Sequence, residues 1–534
     1  MSSIAKSDPR PQAGLIAELA PATLADRAAM WASAGALVLM RSHVSGAALE
    51  ADECNYLYVA SRLMAGDRLY ENVWDHQPPG VFWLFALLVR LFGDSPATLR
   101  WTATAAALVS LCFLFEAARR SLGRPAAWLT AAMFAIAYSN PLVAGEGGNR
   151  EIYMNALAAA AMWVLLRGAA IGPGAVLWAG FLWGLASLLK TVAAAQWFGV
   201  LVFLCLASRA DLHGGVTGPR GRRLALFAVG PAVIWTVTVL LYAVTGRFQE
   251  FVQAVFAFNL GYAAAPSSVW SRFVDFFDPR LILRSSWLIW LCGAGGLIAG
   301  LPVRGPRRRP FLAWSCYAVG SYAAVCLPGR FWPHYYLLCW QPLVVLAAAF
   351  VCELTGTVFG RITRGWSVLA AGVLLCGILV WEQLHRYLLV PPEQVGAVRY
   401  GQRMEWARRQ GELVASVTRP SDTVYVWGID AGIYYYAHRR CASRYTMNTA
   451  LQPDYPNFQL RRQRLLQDLI RNRPILVVLV DPEFDELADL LLERYYLVGE
   501  DRDPSSPQKV RARFFQRKDR FDPERLLPWP RPAT

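Results

Sequence analysis

The sequence predicts an α-helical membrane protein that crosses the bilayer several times and ends in a soluble α/β domain. Of the 534 residues, 55% are hydrophobic and only 17% are charged, whereas soluble domains are nearer a quarter charged. Between residues 97 and 385 the charges form short clusters that separate long apolar runs, and from residue 392 onward they are dense and mixed in sign. This change of composition predicts a boundary between a membrane part and a soluble part.

Eleven apolar segments are candidates for membrane spans, since a helix needs about 20 apolar residues to cross a bilayer. They are 28–47, 97–118, 125–142, 152–167, 174–189, 192–208, 224–245, 284–301, 311–327, 335–354 and 366–385. No cleavage signal follows the first segment, so we interpret it as an uncleaved span. We therefore predict a cytoplasmic segment at 1–27, a transmembrane part at 28–390 and an extracytoplasmic domain at 391–534.

The basic residues predict the orientation in the membrane. If the spans alternate, the arginine clusters at 119–124, 220–223, 304–309 and 361–364 all fall on one side. Loops rich in Arg and Lys face the cytoplasm. The N-terminus is therefore predicted to be cytoplasmic and the C-terminal domain to lie outside. The predicted location is the inner, or plasma, membrane.

The net charge of +15 does not indicate nucleic-acid binding, because the arginines gather at the ends of apolar segments. The ten cysteines include no CxxC pair and lie mostly in apolar runs, which is typical of small buried side chains. No zinc-like histidine spacing and no phosphate or dinucleotide fingerprint occurs. We therefore expect no organic cofactor.

Two predicted outer segments, 48–96 and 246–283, are too long to be simple connections. Within the first, Val81–Phe92 is apolar for only about a dozen residues, which favours a helix lying in the membrane interface over a span. In the tail, the β-branched runs Asp422–Gly428 and Pro474–Asp481 predict strands. The stretches Leu460–Arg471 and Glu483–Tyr495 predict helices.

Three short motifs follow the first span. They are Asp52-Glu53, Ala65-Gly66-Asp67 and Asp75-His76-Gln77-Pro78-Pro79. An acidic pair at the lipid–water boundary could gain proton affinity by partial burial and act as a general base. The alternative is a solvated helix N-terminus, where acids are favoured by the helix dipole. The two prolines would hold Asp75 and His76 in place ahead of the interfacial helix.

The arrangement over residues 25–385, and above all 50–85, resembles GT-C glycosyltransferases of the dolichyl-phosphate-mannose-protein mannosyltransferase and aminoarabinose transferase type. This resemblance implies a GT-C fold and the transfer of a sugar from a polyprenyl-phosphate donor on the outer face of the membrane. In the family an acidic pair opens the first outer loop, and a Gly-Asp step and a Lys-Pro-Pro element precede an amphipathic helix. Here Gln77 replaces that lysine, and His76 or Lys190 would supply the missing charge.

The resemblance also implies residue roles. Asp52 would activate the acceptor hydroxyl with the support of Glu53, and Glu151, or Glu146 in its place, would be the acid of the second outer loop. Asp75 would contribute to substrate binding. Glu151 could equally be an acid at the start of a helix. Whether a divalent cation such as Mg²⁺ or Mn²⁺ takes part is open, with Asp52 and Glu151 as its candidate ligands.

Lys190 is the only lysine between residues 7 and 508, and it lies at a tight hairpin between two spans. Since relatives often carry a lysine here, we assign it to the donor phosphate, where a fixed cation would stabilise the charge that develops on the leaving group. A snorkelling anchor residue is the alternative. Arg330 and His334 are candidates for gripping phosphate or sugar hydroxyls. Tyr335 adjoins them, although this aromatic segment could also be an interfacial belt.

We therefore predict an inverting glycosyltransferase that uses a polyprenyl-phosphate sugar and a lipid, glycan or protein acceptor. Two other classes remain open. A transporter or flippase would carry functional charges near the bilayer midplane and often internal repeats, whereas no repeat is found here and the candidate charges lie at span ends. A scaffold would function through its C-terminal domain alone.

Overall fold

The structure is a computed structural model that describes residues 21–168, 171–207, 220–264, 268–304, 307–358 and 360–521. Residues 1–20 of the predicted cytoplasmic segment and 522–534 of the predicted tail domain lie outside the described residues. The described chain separates into two compact units. The first contains the described residues of Met1–His43, Trp101–Val237 and Val269–Val390, and the second those of Val44–Arg100, Thr238–Ser268 and Pro391–Thr534.

The protein is mostly helical before the tail, as its apolar runs predict. The helices are α1 (Leu24–Ser42), α2 (Ala51–Met64), α3 (Pro79–Phe92), α4 (Pro96–Ser121), α5 (Arg124–Ala137), α6 (Arg150–Leu166), α7 (Pro173–Leu189), α8 (Ala193–Leu206), α9 (Arg220–Val244), α10 (Phe248–Val252), α11 (Phe258–Ala263), α12 (Val269–Asp275), α13 (Arg280–Arg284), α14 (Trp287–Gly300), α15 (Arg308–Cys326), α16 (Leu337–Val358) and α17 (Gly360–Gln383). Each of the eleven predicted spans overlaps one of these helices.

Within the described ranges, four helical stretches are long and apolar enough to cross a bilayer. They are Pro96–Ser121, Arg220–Val244, Pro333–Val358 and Trp366–Leu388. Several of the other helices are shorter, such as α5 with 14 residues, or about 21 Å at 1.5 Å per residue. The general prediction of a multi-span helical protein is therefore confirmed, whereas the count of eleven spans stays a prediction.

Helix α3 has the two-sided character expected of an interfacial helix. Pro79 occupies its first turn, where the missing N–H costs no hydrogen bond and the fixed φ suits a helix. Val81, Phe82 and Phe85 are buried on one face, while Leu87 and Leu91 are exposed. The helix has 14 residues, about 21 Å, so it is shorter than the ~30 Å hydrocarbon core.

The tail forms a mixed five-stranded sheet with helices. Its elements are α18 (Pro392–Val395), α19 (Ala397–Tyr400), α20 (Arg403–Val417), β1 (Thr423–Trp427), α21 (Gly432–Ala437), β2 (Arg440–Cys441), α22 (Phe458–Asn472), β3 (Leu476–Leu479), α23 (Asp485–Arg494), β4 (Tyr495–Asp503) and β5 (Ser506–Arg517). The strand order is β2-β1-β3-β5-β4. Strands β2, β1 and β3 are parallel, and β3, β5 and β4 are antiparallel. The predicted α/β tail is thus confirmed.

The centre of this sheet consists of the two strands predicted from β-branched runs. All four residues of β3 are buried, and so are four of the five in β1, as expected of strands covered on both faces. Val424 pairs with Leu476 and Trp427 with Leu479. The antiparallel pair β4–β5 was not predicted, and the predicted helix Glu483–Tyr495 ends one residue earlier because Tyr495 begins β4.

Candidate active site

The acidic pair occupies the first turn of α2, where the N-terminal end of a helix favours negative charge. Glu53 is 1% exposed, and its Oε1 atom accepts a hydrogen bond of 2.8 Å from Arg100 Nη1. Its Oε2 atom accepts one of 3.0 Å from the backbone N–H of Glu50, the N-cap residue, as in a capping box. Glu53 therefore fixes the helix start, whereas the neighbouring Asp52 is half-buried.

A second buried carboxylate precedes the pair. Glu50 is 5% exposed and lies 3.8 Å from the Arg399 guanidinium. Buried carboxylates need such partners, because an uncompensated charge away from water costs several kcal/mol. The start of α2 is thus held by two guanidinium groups. Arg100 contacts Glu53 and Arg399 lies beside Glu50, and Asp52 lies between these two acids in the sequence.

The Ala65-Gly66-Asp67 step ends α2. Gly66 has a φ of +93°, its N–H donates to the Leu63 carbonyl, and the N–H of Asp67 donates to the Arg62 carbonyl. These two bonds form a Schellman motif, in which glycine is favoured because it adopts positive φ without a Cβ clash. The Gly-Asp motif therefore has a structural explanation in the turn that it forms.

Asp75 belongs to a buried polar network that includes the C-terminal domain. Its Oδ2 atom accepts a 2.7 Å hydrogen bond from Asn55 Nδ2, and its Oδ1 atom accepts one of 2.8 Å from the Gln77 N–H. Asn55 in turn accepts a 2.7 Å bond from Thr446 Oγ1. Asn55 and Thr446 are 0% and 2% exposed. Because every link is satisfied, this network holds the Asp75 carboxylate in one position.

His76 and Gln77 contact each other next to an aromatic group. Gln77 Nε2 lies 2.7 Å from His76 Nε2, and the His76 ring stacks on Tyr262 with 5.5 Å between ring centroids. Asn259 Nδ2 donates to the His76 carbonyl at 2.6 Å. Asp75, 3.6 Å from His76 Nδ1, completes the group, so the residues of the Asp75-His76-Gln77 motif lie together.

A separate cluster lies in the first unit around Glu151, which is completely buried in the first turn of α6. Its Oε1 atom accepts a hydrogen bond from Lys190 Nζ and lies 3.8 Å from His334 Nε2. Lys190 Nζ is also 3.2 Å from the centroid of the Tyr335 ring, a cation–π contact. Glu151, Lys190 and the adjacent pair His334-Tyr335 are far apart in the sequence, yet they lie together in the structure.

The loop before Glu151 is anchored by Arg41, a fully buried residue at the end of α1. Arg41 Nη2 donates to the Gly147 carbonyl at 2.7 Å, Nη1 donates to the Gly145 carbonyl, and Nε donates to Thr104 Oγ1 at 3.0 Å. A Cβ on Gly145 would lie 2.4 Å from the Tyr138 carbonyl oxygen, so only glycine fits there. These contacts fix the position from which α6 begins.

The structure thus forms two groups from the predicted site residues. Asp52, Glu53, Asp75, His76 and Gln77 lie in the second unit, and Glu151, Lys190, His334 and Tyr335 lie in the first. Arg330, half-buried, belongs to the first unit four residues before His334. Glu146, the substitute for Glu151, is buried in the loop anchored by Arg41.

Sequence reasoning missed several supporting residues. Arg41 lies inside the first predicted span, where a charge indicates a specific partner. Arg100 follows closely on the start of α4, where the helix dipole disfavours a cation, so it too could have been recognised. Asn55 and Thr446 carry no such signal, because their partners are far apart in the sequence.

A metal at Glu151 does not fit its surroundings. The carboxylate already contacts Lys190, and His334 and Arg150 lie within 4.0 Å, so the oxygen that a divalent ion would need is already engaged by other groups, two of them cations. In the described part of the chain, no group of three or more His, Cys, Asp or Glu could hold a metal ion.

Comparisons with known proteins agree with the predicted resemblance. Residues 76–235 match the family described as dolichyl-phosphate-mannose-protein mannosyltransferase. The fold is similar to ArnT from Cupriavidus metallidurans bound to undecaprenyl phosphate, with a TM-score of 0.61 and 19% identity over 92% of this chain and 97% of that chain. A search of curated proteins finds no match.

Archaeal enzymes show the same fold. The oligosaccharyltransferase AglB from Archaeoglobus fulgidus, in complex with an inhibitory peptide and a dolichol-phosphate, matches with a TM-score of 0.54 and 12% identity over 85% of this chain and 69% of that one. The complex of the Archaeoglobus fulgidus oligosaccharyltransferase with Zn and sulfate gives 0.51 and 13% over 90% and 72%. These matches confirm the predicted resemblance to GT-C glycosyltransferases and the membrane-protein fold.

Proposed function

From this family resemblance and fold, we propose that the protein is a membrane glycosyltransferase that transfers a sugar from a polyprenyl-phosphate donor to an acceptor hydroxyl. The observation that supports it most is the buried cluster in which Lys190 and His334 lie beside the Glu151 carboxylate. ArnT, whose fold this chain shares, was crystallised with undecaprenyl phosphate. The acceptor is a lipid, glycan or protein that bears the hydroxyl.

In the proposed reaction, Asp52 takes the proton from the acceptor hydroxyl as its oxygen attacks the anomeric carbon. The bond from that carbon to the phosphate oxygen breaks, the polyprenyl phosphate leaves, and the configuration inverts. The half-burial of Asp52 supports it as the base, because partial burial raises the proton affinity of a carboxylate. Glu53 would support Asp52 by holding the helix start.

Lys190, Arg330 and His334 would bind the donor phosphate. Charge develops on that phosphate as the glycosidic bond breaks, so fixed cations stabilise the transition state more than the ground state. The contact of Lys190 with Glu151 and Tyr335 supports this role, because it holds the buried ammonium group in one place. Glu151 and Tyr335 would position Lys190 and contact the sugar.

His76 and Gln77 would add hydrogen bonds to the donor phosphate in place of the family's lysine, and Asp75 would bind a substrate hydroxyl. Support comes from the geometry of the group, in which Asp75 is held by Asn55 and by the Gln77 N–H. We propose the plasma membrane as the location, with the N-terminus in the cytoplasm, residues 391–534 outside, and sugar transfer on the outer face.

The test is a transfer assay with purified protein, a radiolabelled polyprenyl-phosphate sugar and an envelope extract as acceptor. Asp52→Asn keeps the size of the side chain but removes the base, and we expect its transfer rate to fall by about 10²-fold or more. Asp489→Asn, the same change at an exposed position of α23, should transfer at the wild-type rate. Wild-type transfer by Asp52→Asn would contradict the proposed base, and no transfer by the wild-type protein would contradict the function.

A further inference from the structure

The second unit contains a polar cavity away from the first turn of α2. It has a volume of about 170 Å³. Tyr58 and Arg62 of α2 and Asp67 contribute one wall, and the residues around β2 and the end of α22 contribute the other. The catalytic proposal uses none of these residues.

Cations outnumber acids in the lining of this cavity. Its charged residues are four arginines, Arg62, Arg440, Arg444 and Arg471, and three acids, Asp67, Glu71 and Asp468. Each acid already has a basic partner. Asp67 lies 2.8 Å from Arg62 and 3.2 Å from Arg440. Asp468 lies 3.5 Å from Arg471 and Glu71 3.5 Å from Arg68.

Arg444 is the arginine of this set that has a buried nitrogen, its Nε atom, without a hydrogen bond in the described part of the chain. Its backbone is held on both sides, because its N–H faces Asp468 Oδ2 at 3.4 Å and its carbonyl accepts a 2.9 Å bond from the Trp74 N–H. A buried guanidinium nitrogen without a partner loses its interaction with water and gains nothing in return.

An anion would satisfy this site. Guanidinium groups bind carboxylates and phosphates through charge-assisted, often bidentate, hydrogen bonds. A divalent cation is disfavoured, because the acids are already engaged by arginines. Two further arginines, Arg440 and Arg471, have side chains 55% and 75% exposed, so they can turn toward a bound anion at small cost.

We infer that this cavity binds an anionic group, a carboxylate or a phosphate, of the acceptor molecule. The inference rests on the proposed function for the identity of the ligand as the acceptor. Arg62 follows Asp52 by ten residues on the same helix, which separates their backbones by about 15 Å. An acceptor that presents its hydroxyl to Asp52 would therefore place a negative group some distance from that hydroxyl in the cavity.

The test is a calorimetric titration of the full-length protein in detergent at low salt, with glucuronate and inorganic phosphate as separate probes and glucose as the neutral control. We expect saturable binding of at least one anion and none of glucose. Arg444→Gln should weaken that binding about tenfold or more, since it removes charge-assisted hydrogen bonds. Glucuronate alone would identify a carboxylate ligand and phosphate alone a phosphate ligand, and either supports the inference.

Arg409→Gln is the matched control, because the Arg409 side chain is 69% exposed and does not line the cavity; its anion binding should equal that of the wild type. If Arg444→Gln does not fold, Arg471→Gln at the exposed rim replaces it in the titration, and we expect a smaller loss of anion affinity. The inference is overturned if neither anion binds saturably, or if the folded pocket variants bind as the wild type does. Anion binding by a protein that transfers no sugar would contradict the proposed function alone.

Discussion

The carboxylates nearest to Asp52 in the sequence are buried against arginines. Glu50 and Glu53 are buried against Arg399 and Arg100, and removing a partner from such a pair costs about 3–5 kcal/mol. These acids are therefore committed to structure. Asp52 is half-buried between them in sequence, and in the proposed reaction it is the carboxylate that exchanges protons.

Cys441 of strand β2 is a buried cysteine. Burial raises the pKa of the Cys441 thiol to about 12, so the reactive thiolate form is scarce at pH 8. We expect alkylation of native Cys441 by iodoacetamide to be slow at pH 8 and to speed up as the pH rises, because only the thiolate reacts.

Peptide mass spectrometry of native and urea-unfolded protein measures this reactivity. The unfolded sample should be alkylated at Cys441 within minutes, since the thiol pKa returns to its ordinary range. Complete alkylation of the native sample on the same time scale would contradict the buried environment of Cys441.

At the scale of elements, helix α2 combines the candidate base with the contacts that fix it. Its first turn contains Asp52, its middle contains Asn55, and its end is the Schellman turn at Gly66. A shift of either end would move the Asp52 carboxylate, and a misplacement of about 1 Å can cost 10²-fold in rate. The precision of the site therefore depends on both ends of one short helix.

Gly66→Ala tests the end of the helix. Because φ is +93° at Gly66, a Cβ there is strained by about 1 kcal/mol or more, and we expect a lower midpoint of thermal unfolding in detergent. Gly46→Ala is the control, since no atom lies within 4 Å of its Cβ position and its φ is not positive. Equal midpoints for the two variants would contradict the role assigned to the turn.

Thr446→Val tests the link from the C-terminal domain to α2. The change removes the hydroxyl that donates to Asn55 Oδ1 and leaves that buried oxygen without a donor, at a cost of about 1–3 kcal/mol. We expect a lower free energy of unfolding and a reduced transfer rate. Ser416→Ala, which removes an exposed hydroxyl on α20, should change neither, and a Thr446→Val protein as stable and active as this control would show that the network is dispensable.

At the scale of the whole molecule, the sequence predicts the elements better than their contacts. The positions of the helices and of the buried strands β1 and β3 follow from apolar runs. Strands β4 and β5 escaped prediction because they contain many charged, half-buried residues, such as Arg511 and Arg513, in place of an apolar run. The number of spans also stays open, because helices such as α5 are shorter than the bilayer core.

In the candidate site, too, the sequence predicts which residues matter better than it predicts which of them are in contact. Lys190, Glu151 and His334 could be selected from the sequence by type and by family resemblance, yet their meeting depends on how α6, the end of α7 and the segment before α16 pack. Arg100 and Thr446 could not be assigned to Glu53 and Asn55, because pairing over such sequence separations is a property of the tertiary fold. Local sequence patterns therefore predict which side chains can take part in the chemistry, and tertiary packing determines which of them are in contact.

The central claim is the proposal that Asp52 is the catalytic base and that Lys190 binds the donor phosphate. The most direct test measures polyprenyl-phosphate binding and single-turnover sugar transfer for two variants, Asp52→Asn and the double variant Lys190→Met/Glu151→Met. The double variant removes both members of the buried ion pair, so neither charge of the pair is left without the other. We expect Asp52→Asn to bind the lipid as the wild type does but to lose transfer, and the double variant to lose lipid affinity by about tenfold or more. Wild-type lipid affinity in the double variant, or unchanged transfer in Asp52→Asn, would contradict the account.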